Sequence, residues 1–366
     1  MNFWATFNTP ILALAPMEDV TDTVLRELLL GLADPGALHV VMTEFVSTDG
    51  LLHPKARKRV AHRLRVTDEE RKLLKEKNVK IVAQIWGNTP ENYQRVIQEI
   101  SEEMEFDGID INMGCPVPKV VRRGCCSGLI GNPSLAKEII RAAQEASALP
   151  VSVKTRIGLK SVATEEWIGQ LLETKPAALT IHGRTQKQMS DGRADWGEIA
   201  KAARLRDQQG LKLPILGNGD VQSLKEARTK CAEFGLDGAM IGRGIFGNPW
   251  LFTEEQRVRT KEEKLALLWR HTELFDRVWG SSKNFHLLRH YYSIYSKGFP
   301  GAAELRARLM QTESIADVKS ILRNLNPAPR HANSIFTSGH WTTGGQDYET
   351  DKQIIEDAGF QIEMQA

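Results

Sequence analysis

Residues 80–114, "KIVAQIWGNTPENYQRVIQEISEEMEFDGIDINMG", contain two short β-branched runs separated by a longer amphipathic segment. The runs, at 80–87 and 108–114, have the composition of buried strands. The segment between them, 90–104, opens with proline and repeats apolar residues at helical spacing. This order of strand, helix and strand predicts a βαβ unit of a parallel sheet.

The same alternation recurs eight times along the chain. Helical patterns such as 133–146 and 223–235 separate the runs, several of them opening with Thr, Ser or Pro. Eight evenly spaced units favour an α/β fold, a closed (β/α)8 TIM barrel, over an open doubly wound sheet. The eight runs lie at residues 11–17, 39–46, 80–87, 108–114, 150–158, 177–185, 214–221 and 238–246.

Beyond Trp250 the strand pattern stops and residues 261–325 show helical spacing. We therefore predict a barrel domain at 1–250, a smaller all-helical domain at 251–326, and a C-terminal tail of uncertain order at 327–366. Residues 257–330 hold 14 Lys and Arg against 7 Asp and Glu, although the whole chain is only +2. Such a basic region indicates a polyanionic partner or, alternatively, a solvated face.

Composition excludes several classes of protein. The hydrophobic share of 41% suits a globular core, and no apolar run approaches the ~18 residues of a membrane span. The N-terminus lacks a signal-peptide pattern, and the four cysteines form no CxxC. We expect a cytoplasmic protein with reduced thiols and no membrane partner.

Polar residues cluster where the apolar runs end. In a barrel these ends converge on one mouth, where such enzymes carry their chemistry. They are Met17, Glu44, Gln84, Asn112, Cys115, Lys154, Arg156, His182, Asn218, Asp220 and Arg243.

Glycine-rich loops follow the seventh and eighth runs, in "LGNGDV" and "IGRGIFGNPW". Loops at these positions commonly bind phosphate through backbone amides. They therefore fit the phosphate end of a nucleotide or flavin, and the alternative is tight turns that need glycine. The residues concerned are Gly217, Asn218, Gly219, Asp220, Gly242 and Arg243.

Lys154 and Arg156 share a parity and so point to the same side of one strand. Two cations at a barrel mouth need an anionic guest or partner acids, which could be Glu44 or Asp110. Lys154 could form a Schiff base or hold a flavin ring. His182 could donate a hydrogen bond, act as a base or bind a metal, but the spacing of histidines gives no metal motif, so we expect no metal.

Cys115 directly follows the fourth run and heads a loop with Lys119, Arg122 and Arg123. A thiol with the ordinary pKa of about 8.5 is mostly protonated near neutrality and can donate a proton as readily as attack. The alternative is a small buried hydrophobe, which is how we interpret Cys231 in a helical segment.

Seven motifs in order carry a resemblance to a known family. They are "LAPMEDVTD", "VAQIWG", "DINMGCPVPKVVRRG", "VKTRIG", "LTIHGRT", "PILGNGDV" and "MIGRGIFGNPW", and the resemblance they carry covers roughly residues 11–325. Together they resemble the tRNA-dihydrouridine synthases, flavin enzymes that reduce uridine in transfer RNA.

The resemblance implies an FMN-binding barrel and a helical domain that helps hold tRNA. Reduced FMN would give a hydride to uracil C6, Cys115 would give a proton to C5, and NADPH, or NADH, would reduce the flavin. The implied cofactor residues are Pro16, Met17, Glu18, Gln84, Lys154, His182, Asn218, Gly219, Asp220, Gly242 and Arg243. The implied substrate residues are Asn112, Arg156, Arg289 and His290. We expect a monomer.

Two departures from the family pattern stand out: Cys125 and Cys126 replace small residues, and Glu18 follows Met17.

Three further questions stay open from sequence. An FMN barrel of the dihydroorotate dehydrogenase or ene-reductase type, acting on a small molecule, is the rival enzyme, and a non-catalytic RNA-binding barrel is the rival from another class. The aromatic residues Tyr291 and Tyr292 either face RNA or pack inside the helical domain.

Overall fold

The computed structural model describes residues 2–325, in which all eight apolar runs form strands of one closed parallel barrel. Around the barrel the strands follow in the order β1, β2, β4, β5, β6, β7, β8 and β9, and β9 pairs again with β1. The second run divides into β2 and the two-residue β3, which both pair with β4. The predicted (β/α)8 TIM barrel is confirmed, and the predicted tail at 327–366 lies outside the described residues.

The strands are β1 Ile11–Leu14, β2 Val40–Met42, β3 Val46–Ser47, β4 Lys80–Trp86, β5 Gly108–Met113, β6 Val151–Arg156, β7 Leu179–His182, β8 Ile215–Asn218 and β9 Gly238–Ile241. The α-helices are α1 Thr23–Leu32, α2 Thr48–Leu52, α3 Pro54–Val60, α4 Asp68–Glu76, α5 Pro90–Glu103, α6 Pro118–Val121, α7 Pro133–Ala146, α8 Thr164–Leu172, α9 Trp196–Gln208, α10 Leu224–Phe234, α11 Gly244–Gly247, α12 Lys261–Val278, α13 Tyr292–Tyr295, α14 Ala302–Met310 and α15 Ile315–Leu325. Short 3₁₀ helices cover Phe3–Ala5, Ala61–Leu64, Cys126–Gly131 and Phe285–Tyr291.

Helix α10 illustrates how local sequence sets these bounds. The Ser223 side chain accepts a hydrogen bond from the backbone N–H of Glu226 and so caps the first turn. The helix ends at Gly235, whose φ of 64° lies in the left-handed region that glycine adopts without strain. The predicted helical segment 223–235 is therefore a helix that is capped at both ends, by Ser223 and by Gly235.

Strand register aligns the polar side chains that matter for the site. Arg156 of β6 pairs in register with His182 of β7, which in turn pairs with Asn218 of β8. Asn112 of β5 pairs with Lys154 of β6. Because residues two apart on a strand share a face, these residues form two adjacent rows near the carboxyl ends of the strands.

The helical unit α12–α15 packs against the strand-one side of the barrel. The Tyr291 hydroxyl donates to the backbone oxygen of Val20 at 2.8 Å, and the Trp279 indole N–H donates to Asp22 at 2.8 Å. Tyr291 and Tyr292 are 4% and 0% exposed, so these rings pack in the core, and the alternative of an RNA-facing aromatic pair is wrong. None of the described helices is long and apolar enough to span a bilayer.

Candidate active site

Cys115 is fixed at the mouth by hydrogen bonds to its backbone. The side-chain oxygen of Asn112 accepts from the N–H groups of Gly114 and Cys115, at 3.0 and 2.9 Å. The Ser127 hydroxyl donates to the Cys115 carbonyl oxygen at 2.7 Å. Cys115 is 6% exposed, so the loop buries this residue almost completely.

The surroundings of the Cys115 sulfur are apolar and contain a second thiol. Cys115 belongs to a buried cluster with Phe45, Trp86 and Cys126. Interaction with the Cys126 thiol lowers the pKa of Cys115 and outweighs burial, which acts in the opposite direction. The proton on this sulfur is therefore more readily given up than that of an ordinary cysteine.

A buried hydrogen-bond chain lies next to the Cys115 turn. The Gln84 amide donates to Asp110 at 2.7 Å and accepts from Asn112 at 2.9 Å. Ser152 donates to the other oxygen of Asp110 at 2.6 Å, and burial raises the pKa of Asp110 to about 6. Gln84 and Asn112, predicted to contact cofactor and base, thus also orient the turn that carries Cys115.

Lys154 and Arg156 do lie on one side of β6, but neither forms an ion pair with an acid among residues 2–325. The Lys154 ammonium donates to Asn218 at 3.1 Å, and Arg156 donates to the backbone oxygens of Gly114, Thr185 and Met189. The alternative of an ion pair with Glu44 or Asp110 is therefore wrong. Burial lowers the pKa of Lys154 to about 8, with a further contribution from Arg156.

His182 stands beside these cations and is neutral. Burial, followed by the charges of Arg156 and Lys154, lowers its pKa well below the usual range. Arg184 donates to its Nε2 at 3.2 Å, which leaves Nδ1 as the protonated nitrogen. A neutral imidazole in this position can donate one hydrogen bond to a ligand.

Arg184 is a site residue that sequence reasoning missed. It is 2% exposed and binds both oxygens of Asp220 at 2.7 Å, while Arg243 lies 3.6 Å from the same carboxylate. The signal was present, because Arg184 follows His182 by two residues and so points to the same side. Asp220 thus orients two guanidinium groups toward the loops after β7, β8 and β9.

The glycine loops meet the turn after β1. Gly219 has φ of 124°, and a Cβ there would lie 3.0 Å from the His182 ring and 2.5 Å from Ala194. A Cβ on Gly242 would lie 3.6 Å from the sulfur of Met17. Met17 is therefore adjacent to the loop after β9, and both Pro16 and Met17 are partly exposed.

The β1–β2 side of the mouth is acidic. Glu18 pairs with Arg63, and Lys283 of the helical unit lies 3.0 Å from Asp22 and 3.8 Å from Glu44. Burial raises the pKa of Glu18 and of Glu44 to about 7. Lys283 was not predicted as a site residue, since nothing in a single sequence shows that a helical residue reaches this pocket.

The remaining predicted substrate residues belong to the helical unit. Arg289 donates to the Thr312 backbone oxygen at 2.6 Å and to Glu313 at 2.8 Å, while His290 is exposed. No group of three His, Cys, Asp or Glu side chains in residues 2–325 is arranged to hold a metal ion.

Comparison with known proteins gives consistent matches. The family model for dihydrouridine synthase (Dus) matches residues 13–333. A probable tRNA-dihydrouridine synthase of Staphylococcus aureus (strain COL) is 40% identical over 323 residues, covering 88% of this chain and 94% of that protein. The probable tRNA-dihydrouridine synthase 2 of Bacillus subtilis (strain 168) is 39% identical, covering 88% of this chain and 95% of its own.

Among solved structures, morphinone reductase in complex with tetrahydroNAD matches with a TM-score of 0.47 at 11% identity, over 68% of this chain and 87% of that one. The family model covers most of the sequence, and all seven motifs lie along it. The chain belongs to the dihydrouridine synthase family.

Proposed function

We propose that this protein reduces uridines of tRNA to 5,6-dihydrouridine, with Cys115 as the proton donor. The names of its relatives support the substrate. Two features of the mouth carry the chemistry. One is a thiol, Cys115, with a lowered pKa, and the other is a pair of buried cations, Lys154 and Arg156, that bond to neutral oxygens. Reduction of the C5=C6 bond needs one hydride and one proton, delivered to adjacent carbons.

A flavin mononucleotide fits the cationic side of the mouth. Lys154 and Arg156 are charged groups without acid partners among the described residues. An anionic ligand bound beside them would offset the cost of burying their charge. Bound FMN would supply the hydride to uracil C6. Pro16, Met17, Lys154 and His182 would contact the ring, while Gln84, which is 0% exposed, would act through Asn112.

The phosphate of that cofactor fits the loops after β8 and β9. A Cβ at Gly219 would lie 2.5 Å from Ala194, so glycine is required there for the loop after β8 to pack closely. Arg243 and Arg184 supply positive charge beside this loop. Asn218, Gly219, Asp220, Gly242 and Arg243 are the proposed phosphate residues, with Asp220 acting through the two arginines that it orients. Glu18 faces Arg63 and the Cys115 side of the mouth.

Cys115 holds the proton for C5. Asn112 fixes the backbone of the cysteine, so its thiol meets the base from a constant direction. The lowered pKa of the thiol makes the proton easier to transfer to a developing carbanion. Arg156, which is anchored on three backbone oxygens around the mouth, is the proposed contact to the uracil.

The uracil must leave its stack to reach this mouth, which costs on the order of a few kcal/mol that backbone contacts recover. Exposed cations flank the Cys115 turn: Lys55, Lys58 and Arg59 on α3, and Arg122 and Arg123 after α6. These residues are proposed to contact RNA phosphates, together with His290. Arg289 contributes less, because Glu313 already pairs with it.

The proposed reductant is NADPH, and a tRNA substrate favours a cytoplasmic location. The test is turnover of purified holoenzyme with NADPH and tRNA from cells that lack the gene. Mass spectrometry of the tRNA should detect dihydrouridine, and flavin absorbance should accompany the protein. Small-molecule enones and dihydroorotate should not substitute for tRNA, and turnover of either in place of tRNA would favour the rival oxidoreductase.

Cys115→Ala removes the acid while leaving the flavin loops unchanged. We expect turnover to fall by roughly 10²–10⁴-fold with flavin retained. Cys231→Ser is the matched control, because Cys231 is buried in α10 away from the mouth. Near-wild-type turnover by Cys115→Ala would refute the proton-donor role.

A further inference from the structure

A second thiol, Cys126, lies against Cys115 although the proposed reaction needs only one. Both side chains belong to the same buried apolar cluster, and interaction with the Cys126 thiol lowers the pKa of Cys115. The two backbones are also tied together. The N–H and the hydroxyl of Ser127 both donate to the Cys115 carbonyl oxygen, at 3.3 and 2.7 Å. The loop therefore holds the backbone of the Cys126–Ser127 segment against that of Cys115, with both thiols in one buried cluster.

Cys126 occupies this position at a conformational cost. Its φ is 51°, in the left-handed region that glycine adopts freely and that other residues rarely adopt. Cys126 is 0% exposed, so contact with solvent does not explain why a thiol occupies this position. A strained, buried side chain beside a catalytic atom is the kind of outlier from which a functional hypothesis is drawn.

We propose that Cys115 and Cys126 form a peroxide-sensitive thiol pair, in which oxidation of Cys115 closes a Cys115–Cys126 disulfide and reversibly stops the enzyme. The loss of activity rests on the proposed proton-donor role of Cys115, whereas formation of the disulfide does not. The lowered pKa of Cys115 favours the thiolate, which is the form that reacts with peroxide.

Two steps account for all atoms and electrons. The Cys115 thiolate attacks hydrogen peroxide; an S–O bond forms, the O–O bond breaks, and the departing hydroxide takes up a proton as water. The Cys126 sulfur then attacks the sulfenic sulfur; an S–S bond forms, and the S–O bond breaks. Hydroxide leaves with the proton of the Cys126 thiol as a second water. Overall, two thiols are oxidised and one peroxide is reduced to two waters.

Burial suits this division of roles. Cys115 lies at the mouth and is 6% exposed, so a small peroxide can reach it, while Cys126 reacts only with its neighbour. Cys125 does not share this geometry, although it is adjacent in sequence. Its thiol is directed at the Arg123 carbonyl oxygen, 3.9 Å away, and burial raises its pKa. Cys125→Ser is therefore the matched control.

The experiment treats reduced holoenzyme with hydrogen peroxide and follows three readouts. Peptide mass spectrometry should find a Cys115–Cys126 crosslink, dihydrouridine formation should fall, and dithiothreitol should restore it. Cys126→Gly, which suits the left-handed backbone, should instead accumulate a dimedone-trappable sulfenic acid on Cys115. Relative to its own untreated rate, this variant should recover at least about tenfold less activity after dithiothreitol, because unprotected sulfenic acid oxidises further.

Cys125→Ser and Cys231→Ser should behave as wild type. A dimedone adduct on wild-type Cys115 without any crosslink to Cys126 would overturn the proposal, and so would full recovery by Cys126→Gly. If the crosslink formed while turnover continued, formation of the disulfide would be supported, but Cys115 would be refuted as the proton donor. The two proposals therefore fail separately.

Discussion

The two sides of the barrel mouth carry opposite charge and balance it differently. On the β6–β9 side, Lys154 and Arg156 bond to amide and carbonyl oxygens and have no acid partner among the described residues. On the β1–β2 side, Asp22 and Glu44 are compensated by Lys283 from the helical unit. Buried charge without a partner marks a place for a ligand, whereas buried charge with a partner from another unit marks a joint.

The difference extends to protonation. Burial lowers the pKa of Lys154 to about 8, which weakens but does not remove its charge at neutrality. Burial raises the pKa of Glu18 and Glu44 to about 7, so these two carboxyls are only partly ionised there. The cationic side thus keeps charge for an anionic guest, while the acidic side holds the helical unit against the turn that follows β1.

Removing Lys283 should have the largest effect on stability. Lys283→Met leaves Asp22 and Glu44 buried without their cation, which should lower the free energy of unfolding by about 3–5 kcal/mol. Urea denaturation at matched cofactor content measures it. Lys319→Met, which breaks a more exposed pair with Asp276, should change stability by less than about 1 kcal/mol. Equal effects of the two changes would remove the distinction between joint and surface pair.

On the cationic side the expected loss is of rate. Lys154→Met removes a charge that the proposed flavin needs when it is reduced, so turnover should fall by about 100-fold while the fold persists. Steady-state dihydrouridine formation measures it, with the exposed Lys212→Met as the control. A rate within about threefold of wild type would mean that Lys154 only fills space.

The sequence predicts the barrel and the positions of its mouth residues because period and register are local properties. The apolar run at 108–114 becomes β5, and parity alone puts Lys154 and Arg156 on one side of β6. The same parity argument could have predicted the direction of Arg184. The hydrogen-bond partners of these side chains could not be predicted from sequence, because they depend on tertiary packing.

Three examples show this limit. Lys283 reaches Asp22 across 261 residues of sequence, which no local pattern encodes. Tyr291 is buried, and its hydroxyl donates to the backbone oxygen of Val20, a contact between two units of the fold. The contact between Cys126 and Cys115 likewise depends on how the loop after β5 folds back.

The pH dependence of stability tests the acidic side. Between the ordinary value of 4.5 and the folded value of about 7, Glu18 keeps a proton in the folded protein that the unfolded chain has lost. Its contribution to the free energy of unfolding therefore falls as pH rises through this window. Glu18→Gln does not titrate, so its stability relative to wild type should rise by up to about 1.4 kcal/mol per pH unit.

Urea denaturation of both proteins at several pH values between 5 and 8 measures this difference. The matched control is Glu105→Gln, whose side chain is 89% exposed, and its curve should run parallel to that of wild type. A Glu18→Gln curve parallel to wild type would mean that the carboxyl is solvated and ionised throughout.

The smallest expected effect lies at the edge of the cationic side. The Arg243 side chain is 47% exposed, so solvent screens its charge, and Arg243→Gln should weaken FMN binding by only about fivefold. Riboflavin lacks the phosphate, so its affinity should not change, and fluorescence titration of both ligands separates ring from phosphate contacts. Arg228→Gln, from an exposed pair with Glu254, should affect neither ligand. If Arg243→Gln weakened both equally, this arginine would act on the ring or on folding, and the phosphate would have to lie against Arg184 alone.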